Sequence, residues 1–125
     1  MIERDEIKRR VRRILNGCKG FDAAITMEEL TRRAKDEYTI PGKRYDQSRI
    51  IRSVVRELRR EGMPICNRYG AGGGYYLAAS EDDIDDTCRV MHSRALASLE
   101  IERDLRRINV GALLQQLEIE LTPKE

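Results

Sequence analysis

Tryptophan is absent from the chain, phenylalanine occurs once, and tyrosine five times among 125 residues. The three cysteines are odd in number and unevenly spaced. That argues against a disulfide framework and fits a reducing compartment. Long apolar runs are lacking as well. The longest, Tyr75 to Ala79, is far too short to cross a bilayer. The opening Met-Ile-Glu-Arg-Asp-Glu has no apolar stretch of the secretory type. Secreted, membrane, collagenous and disulfide-rich classes are therefore not expected.

Charge is abundant instead. Charged residues make up 37% of the chain and hydrophobic ones 40%, against roughly 25% charged in an average domain. Elements must then be thinly apolar on one side and charged on the other, which favours amphipathic helices. The length suits one domain, or one domain with a helical appendage. The overall charge of +2 conceals an asymmetry. Residues 1–80 hold 18 basic and 11 acidic side chains, a net +7; residues 81–125 hold 6 and 11, a net −5. A basic front suits a polyanionic partner.

Ile7, Val11, Ile14 and Leu15 recur at helical spacing and predict a helix over about 3–16. Asn16-Gly17 stops it, with Gly17 expected in a left-handed cap. Ala23 to Ile25 suggest a very short strand. Thr26-Met27-Glu28-Glu29 forms a capping box, with Ile25 and Leu30 placed as a hydrophobic staple. A second helix follows over about 27–36, turning Met27, Leu30 and Ala34 inward. Residues 37–46 read as irregular around Pro41-Gly42. Asp46 is the expected N-cap of a third helix, about 47–61, whose apolar set is Ile50, Ile51, Val54, Val55 and Leu58. Gly62 ends it and Pro64 prevents its resumption. The pattern then changes to strands: Ile65 to Arg68 and Tyr75 to Ala78 flank Gly70-Ala71-Gly72-Gly73-Gly74, a hairpin with a glycine tip. Tyr75 and Leu77 are expected to pack inward and Tyr76 to point the other way. Ser80 with Asp83 caps a long helix to about Ile108. Asn109 and Gly111 offer a break before a last stripe that begins at Val110.

The fold class expected is mainly α with a small β-hairpin, divided into residues 1–79 and a helical segment 80–125. Helix, short strand, helix, helix, hairpin is the order of a winged helix-turn-helix. The stretch Ile50-Ile51-Arg52-Ser53-Val54-Val55-Arg56-Glu57-Leu58-Arg59-Arg60-Glu61-Gly62-Met63-Pro64-Ile65, followed by Gly74-Tyr75-Tyr76-Leu77, resembles the recognition helix and wing of the biotin-repressor type. With its trailing helix, the chain is also similar to small winged-helix proteins of phages and prophages. This resemblance covers residues 3–79. It implies double-stranded DNA as partner, a role as a small transcriptional regulator or phage-type accessory factor, and the cytoplasm of a bacterial or phage-infected cell.

The residues expected at DNA follow from position. Arg49, Arg56 and Arg60 lie opposite the apolar centre of the third helix, with Arg52 and Ser53 flanking. Guanidinium forks suit guanine edges and phosphates. Gln47 and Ser48 stand at the end that enters a groove. Lys43 and Arg44 precede the helix, and Arg68 and Tyr69 belong to the wing. The competing reading is a solvated arginine face paired with Glu57 and Glu61.

Other signals are weaker. The glycine loop lacks the Lys-Ser/Thr and following helix of a phosphate loop. Cys88 and His92 at i, i+4 read as core packing rather than as metal ligands. The acidic run Asp82 to Asp86 suits a helix N-terminus. No nucleophile can be set beside the single histidine, so no enzyme activity and no cofactor is expected. The long helix is expected to pack Ile84, Cys88, Met91 and Ala95 on the first domain. Leu99, Ile101, Leu105 and Ile108, with Leu113, Leu114 and Leu117, are expected to make a homodimer as a helical bundle. The alternative is a winged helix that assembles with another protein through its C-terminal helices.

Overall fold

The computed structural model describes residues 3–35 and 44–121. The chain divides into two compact units, Met1–Cys88 and Arg89–Glu125.

In the first unit three helices, α1 (Arg4–Asn16), α2 (Met27–Lys35) and α3 (Arg44–Arg60), pack on one another. A short antiparallel sheet lies beside them, with β3 (Gly74–Leu77) between β1 (Ile25–Thr26) and β2 (Ile65–Arg68). Each helix presents a single apolar stripe, and these stripes meet. Ile7, Val11 and Leu15 of α1, Leu30 and Ala34 of α2, and Ile51, Val54, Val55 and Leu58 of α3 are all buried in one cluster. Ile25 and Ile65 join it from the sheet, while Met27, Ile50, Met63 and Tyr75 pack at its edge.

The helix ends follow local chemistry. The Glu29 N–H donates to Thr26 Oγ1 at 3.1 Å. The Glu29 carboxylate does not reach back, because Arg32 holds it at 2.6 Å. Gly17 differs from expectation: its φ is −89°, so the α1 stop uses ordinary right-handed backbone. The left-handed cap is at Gly62, with φ +101°. There the Gly62 N–H reaches the Arg59 carbonyl and the Met63 N–H the Leu58 carbonyl, both at 3.0 Å. These two bonds satisfy carbonyls that the helix end leaves open, and glycine takes that φ without a Cβ penalty. Helix α3 begins at Arg44, so Asp46 lies inside it rather than capping it. The expected turn at Pro41-Gly42 lies outside the described residues. Residues 21–23 form a 3₁₀ turn, and the strand starts only at Ile25.

Strands β2 and β3 pair Ile65 with Leu77 and Cys66 with Tyr76, while Ile25 of β1 pairs with Tyr75. The sheet is covered on both faces. Tyr75 packs against the helical cluster. Tyr76 lies on the other face and is nevertheless buried, at 2% exposure. Its ring meets Phe21 edge-on at 5.8 Å. Burial raises the Tyr76 pKa and Thr87 tempers the rise; the Thr87 hydroxyl accepts from the Asn67 N–H at 3.3 Å. Leu77 is only half-buried. The unexpected cover comes from Phe21 and from the first turns of the next helix.

That helix, α4 (Glu81–Arg107), is capped as its sequence predicts. The Asp83 N–H donates to Ser80 Oγ at 3.4 Å, and Asp83 accepts from the Ala79 N–H at 2.8 Å. Its buried residue is Thr87. Ile84 and Cys88 are exposed within the first unit, so their expected packing there, and a core place for Cys88, do not occur; Met91 and Ala95 of the second unit are exposed as well. In the second unit α4 gives way at Ile108-Asn109 to α5 (Val110–Leu121), which Asn109 caps through the Ala112 N–H at 3.0 Å. Helix α5 does not fold back as a cover: large apolar residues of both helices there are exposed, from Met91 at 38% to Ile119 at 68%. Among the described residues no helix is long and apolar enough to cross a membrane.

Candidate nucleic-acid interface

Helix α3 sorts its side chains around its axis. With Ile51, Val54, Val55 and Leu58 buried, the outer side carries Arg49, Arg52, Arg56 and Arg60, all exposed. Glu57 and Glu61 fall on one flank and Arg59 on the other.

The acidic flank is occupied by α1. Lys8 contacts Glu57 at 2.8 Å and Glu61 at 2.7 Å. Arg4 reaches Glu57 at 2.6 Å and Arg12 reaches Glu61 at 3.5 Å. These bonds hold the Glu57 carboxyl below its ordinary range, chiefly through Lys8 and then Arg4, and hold the Lys8 ammonium above its own. Arg4 also donates to Ser53 Oγ at 3.0 Å. Glu57 and, just past the helix end, Glu61 are thus neutralised by α1 and not by the arginines of α3. Among the described residues no ion pair is made by Arg49, Arg52, Arg56 or Arg60. A row of exposed guanidinium groups remains on one face.

The other flank is bolted to the hairpin. Arg59 Nε donates to the Ile65 carbonyl at 2.9 Å, its terminal nitrogen donates to Asn67 Oδ1, and its guanidinium lies 5.8 Å from the Tyr75 ring centre. Burial raises the pKa of Tyr75, and nearby Arg59 and Arg52 pull it the other way. Arg59 therefore fixes α3 against β2 and is not part of the free row.

The hairpin tip is built by close approach. A Cβ at Gly74 would stand 1.8 Å from the Ile25 carbonyl oxygen, and one at Gly73 2.2 Å from that of Arg68. No other residue fits there, so these glycines let three backbone segments converge. The Gly73 N–H closes the turn onto the Gly70 carbonyl at 3.0 Å. The tip borders the start of α2, where Thr26, Met27 and Glu28 line a shallow hollow with Gly72 and Gly73.

The structure gathers some of the sequence-predicted residues and separates others. Arg49, Arg52, Arg56 and Arg60 stand together. Ser53 is on the same side but bonded to Arg4. Ser48 is buried at 8% exposure, which corrects its expected place at the open end of the helix: one residue either way around a helix turns a side chain through about 100°. Arg44 and Gln47 belong to α3, but their side chains, and Lys43 altogether, lie outside the described residues. Arg68 sits on the sheet face away from α3, with its guanidinium 4.6 Å above the Phe21 ring. Tyr69 is half-buried.

Two contributions were not read from sequence. The α1 clasp had a signal: Arg4, Lys8 and Arg12 at i, i+4, i+8 match Glu57 and Glu61 at i, i+4. Phe21 under Arg68 had none, since a lone phenylalanine in a loop specifies no neighbour. Among the described residues no three His, Cys, Asp or Glu side chains are grouped to hold a metal ion. Comparison with protein-family models, with curated proteins and with solved structures finds no match to this chain.

Proposed function

We propose that this chain is a non-enzymatic winged-helix protein that binds double-stranded DNA through the outer face of α3. It would serve as a small transcriptional regulator or phage-type accessory factor in the bacterial or phage-infected cytoplasm. One observation carries the reading: Glu57 and Glu61 are neutralised by α1, and Arg49, Arg52, Arg56 and Arg60 are left as an exposed row. A helix bearing such a row suits a major groove, where guanidinium groups meet guanine edges or phosphates. The three-helix core with a glycine-tipped hairpin supports the winged-helix assignment. Arg68 contributes from the wing's other face, so the wing acts through its edge and tip. Self-association through α4 and α5 completes the reading, since a homodimer presents two α3 faces to a palindromic site. The exposed leucines of α4 and α5 also favour a second reading, assembly with a different protein.

Fluorescence anisotropy on mixed-sequence duplexes at two salt concentrations tests the DNA reading. Affinity should fall steeply as salt rises, with a log–log slope of about −0.9 per phosphate contacted. No binding at low salt would overturn it.

A further inference from the structure

Helix α4 changes its apolar side midway. At about 100° per residue, Ile101 and Leu105 lie roughly 200–240° around the axis from Leu99, with Leu96 on the Leu99 side and Ile108 just past the helix end. All five are between 46% and 61% exposed. A single flat partner cannot cover two opposite sides of a helix. Helix α5 adds a third stripe, with Leu113 46% and Leu117 44% exposed. Together these residues expose roughly 650 Å² per copy. Spread over three stripes, that approaches the roughly 800 Å² each partner gives to a standard interface.

Charge indicates what covers each side. The only charged residues of α5 are Glu118 and Glu120. Residues 89–107 of α4 hold five arginines against three carboxylates. Three of them, Arg103, Arg106 and Arg107, fall within roughly 80° of Leu99, against one carboxylate there, Glu102, which pairs with Arg106 at 3.0 Å. The acidic, apolar α5 thus complements the Leu96/Leu99 side of α4, and a second copy supplies it.

We infer that two copies of this chain interleave. The Ile101/Leu105 side of α4 packs on the same side of the second copy's α4, and the Leu96/Leu99 side receives the second copy's α5. The inference rests on the self-association part of the proposed function and is independent of DNA binding.

Sedimentation equilibrium of the full chain at about 1–100 μM tests it. Three double variants each strike one stripe: Leu96→Glu with Leu99→Glu, Ile101→Glu with Leu105→Glu, and Leu113→Glu with Leu117→Glu. All six residues are exposed, so the thermal transition of the first unit should not move, and its constancy verifies folding. The wild type should weigh as two copies, and each double variant should raise the dissociation constant at least about 100-fold, because it buries unpaired carboxylates. A monomeric wild type overturns the self-association reading and the interleaving together. A dimer weakened only by the Ile101/Leu105 pair, with the others within about threefold, overturns the interleaving and leaves self-association standing. A mass above two copies overturns the two-copy arrangement.

Discussion

Helices α3 and α4 are both arginine-rich and both carry several large aliphatic residues, but they reach opposite states. In α3 the aliphatics keep one phase over about two and a half turns, and every member of the central set, Ile51, Val54, Val55 and Leu58, is at 0–1% exposure. In α4 the phase slips by about half a turn near residue 100, and Leu99, Ile101 and Leu105 stand 59–61% exposed. The difference is one of phase and not of composition. A stripe that holds its direction can be met by one neighbouring layer within the chain, whereas a stripe that switches sides needs neighbours on two sides. Charge follows the same division. The arginines of α3 are set apart from Glu57 and Glu61 by the α1 clasp, while in α4 Arg106 pairs with Glu102 along its own helix at 3.0 Å.

The largest test of this comparison is a pair of equal truncations. Leu58→Ala removes a fully buried side chain from the three-helix core and should cost about 2–5 kcal/mol of unfolding free energy. Leu105→Ala removes the same atoms from an exposed position and should change stability by less than about 0.5 kcal/mol at protein concentrations too low for association. Urea denaturation of both variants reads the contrast directly. Similar costs would mean that the second unit has a core the exposures do not express.

A second pair divides α3 itself. Arg59 is tied to Ile65, Asn67 and Tyr75, so Arg59→Ala should destabilise the first unit by about 1–3 kcal/mol. Arg56, on the free row, should be the reverse case. Arg56→Ala should weaken DNA binding by about 1–3 kcal/mol and leave stability within about 0.5 kcal/mol. If Arg56 proved the structural one, the outer side of the helix would be misassigned.

Caps give a smaller contrast. Thr26 caps a helix that belongs to the core, and Thr26→Ala should lower the melting transition by about 1 kcal/mol. Asn109 caps α5, whose large apolar residues are exposed. Asn109→Ala should reduce helical ellipticity without shifting that transition, and a coincident shift would show the two units to unfold as one.

How much of this was legible in the sequence follows the range of each interaction. The helices and the Thr26 and Ser80 caps were readable because each is set by residues within about four positions, and the hairpin because its two alternating runs flank a glycine turn. The capped end at Gly62 was readable too, although Gly17, with the same residue type, adopts ordinary helical backbone. Composition cannot distinguish these two glycines, since the φ depends on where the chain goes next. The start of α3 was missed by three residues because Asp46 carries a capping side chain, and helix continuation through it leaves no local mark. The arginine row was read from helical periodicity alone. Ser48 was misplaced, since the stripe's width on that side is set by the facing layer. Long-range partners were mostly invisible. Thr87 and Phe21, which cover Tyr76, are separated from it by many residues and carry no pattern.

The smallest effect concerns the clasp that frees the arginine row. Glu57 in the fold has a lowered pKa, owing first to Lys8 and then to Arg4. A carboxyl whose pKa is depressed on folding adds stability that is present above its unfolded value, about 4.3, and is lost as pH falls through the folded value. Lys8 is raised, so its share is present below about 10.4 and fades as pH climbs through its folded value. Between these limits the clasp is intact. Glu57→Gln removes the charge but keeps the shape, so wild type and variant should differ in urea midpoint near pH 7 and converge as the pH drops below about 4. The partners are partly exposed, with side-chain exposures of 18% for Lys8 and 40% for Glu57, so the difference should shrink further in high salt. A midpoint difference that persists unchanged to pH 3 would assign the effect to packing of the side chain and not to its charge. The same variant should raise DNA affinity slightly, because it deletes a negative group beside Arg56 and Arg60. A fall in affinity instead would mean that the α1 cations released from Glu57 are drawn away from where Glu57 held them, and that the clasp positions the row as well as neutralising it.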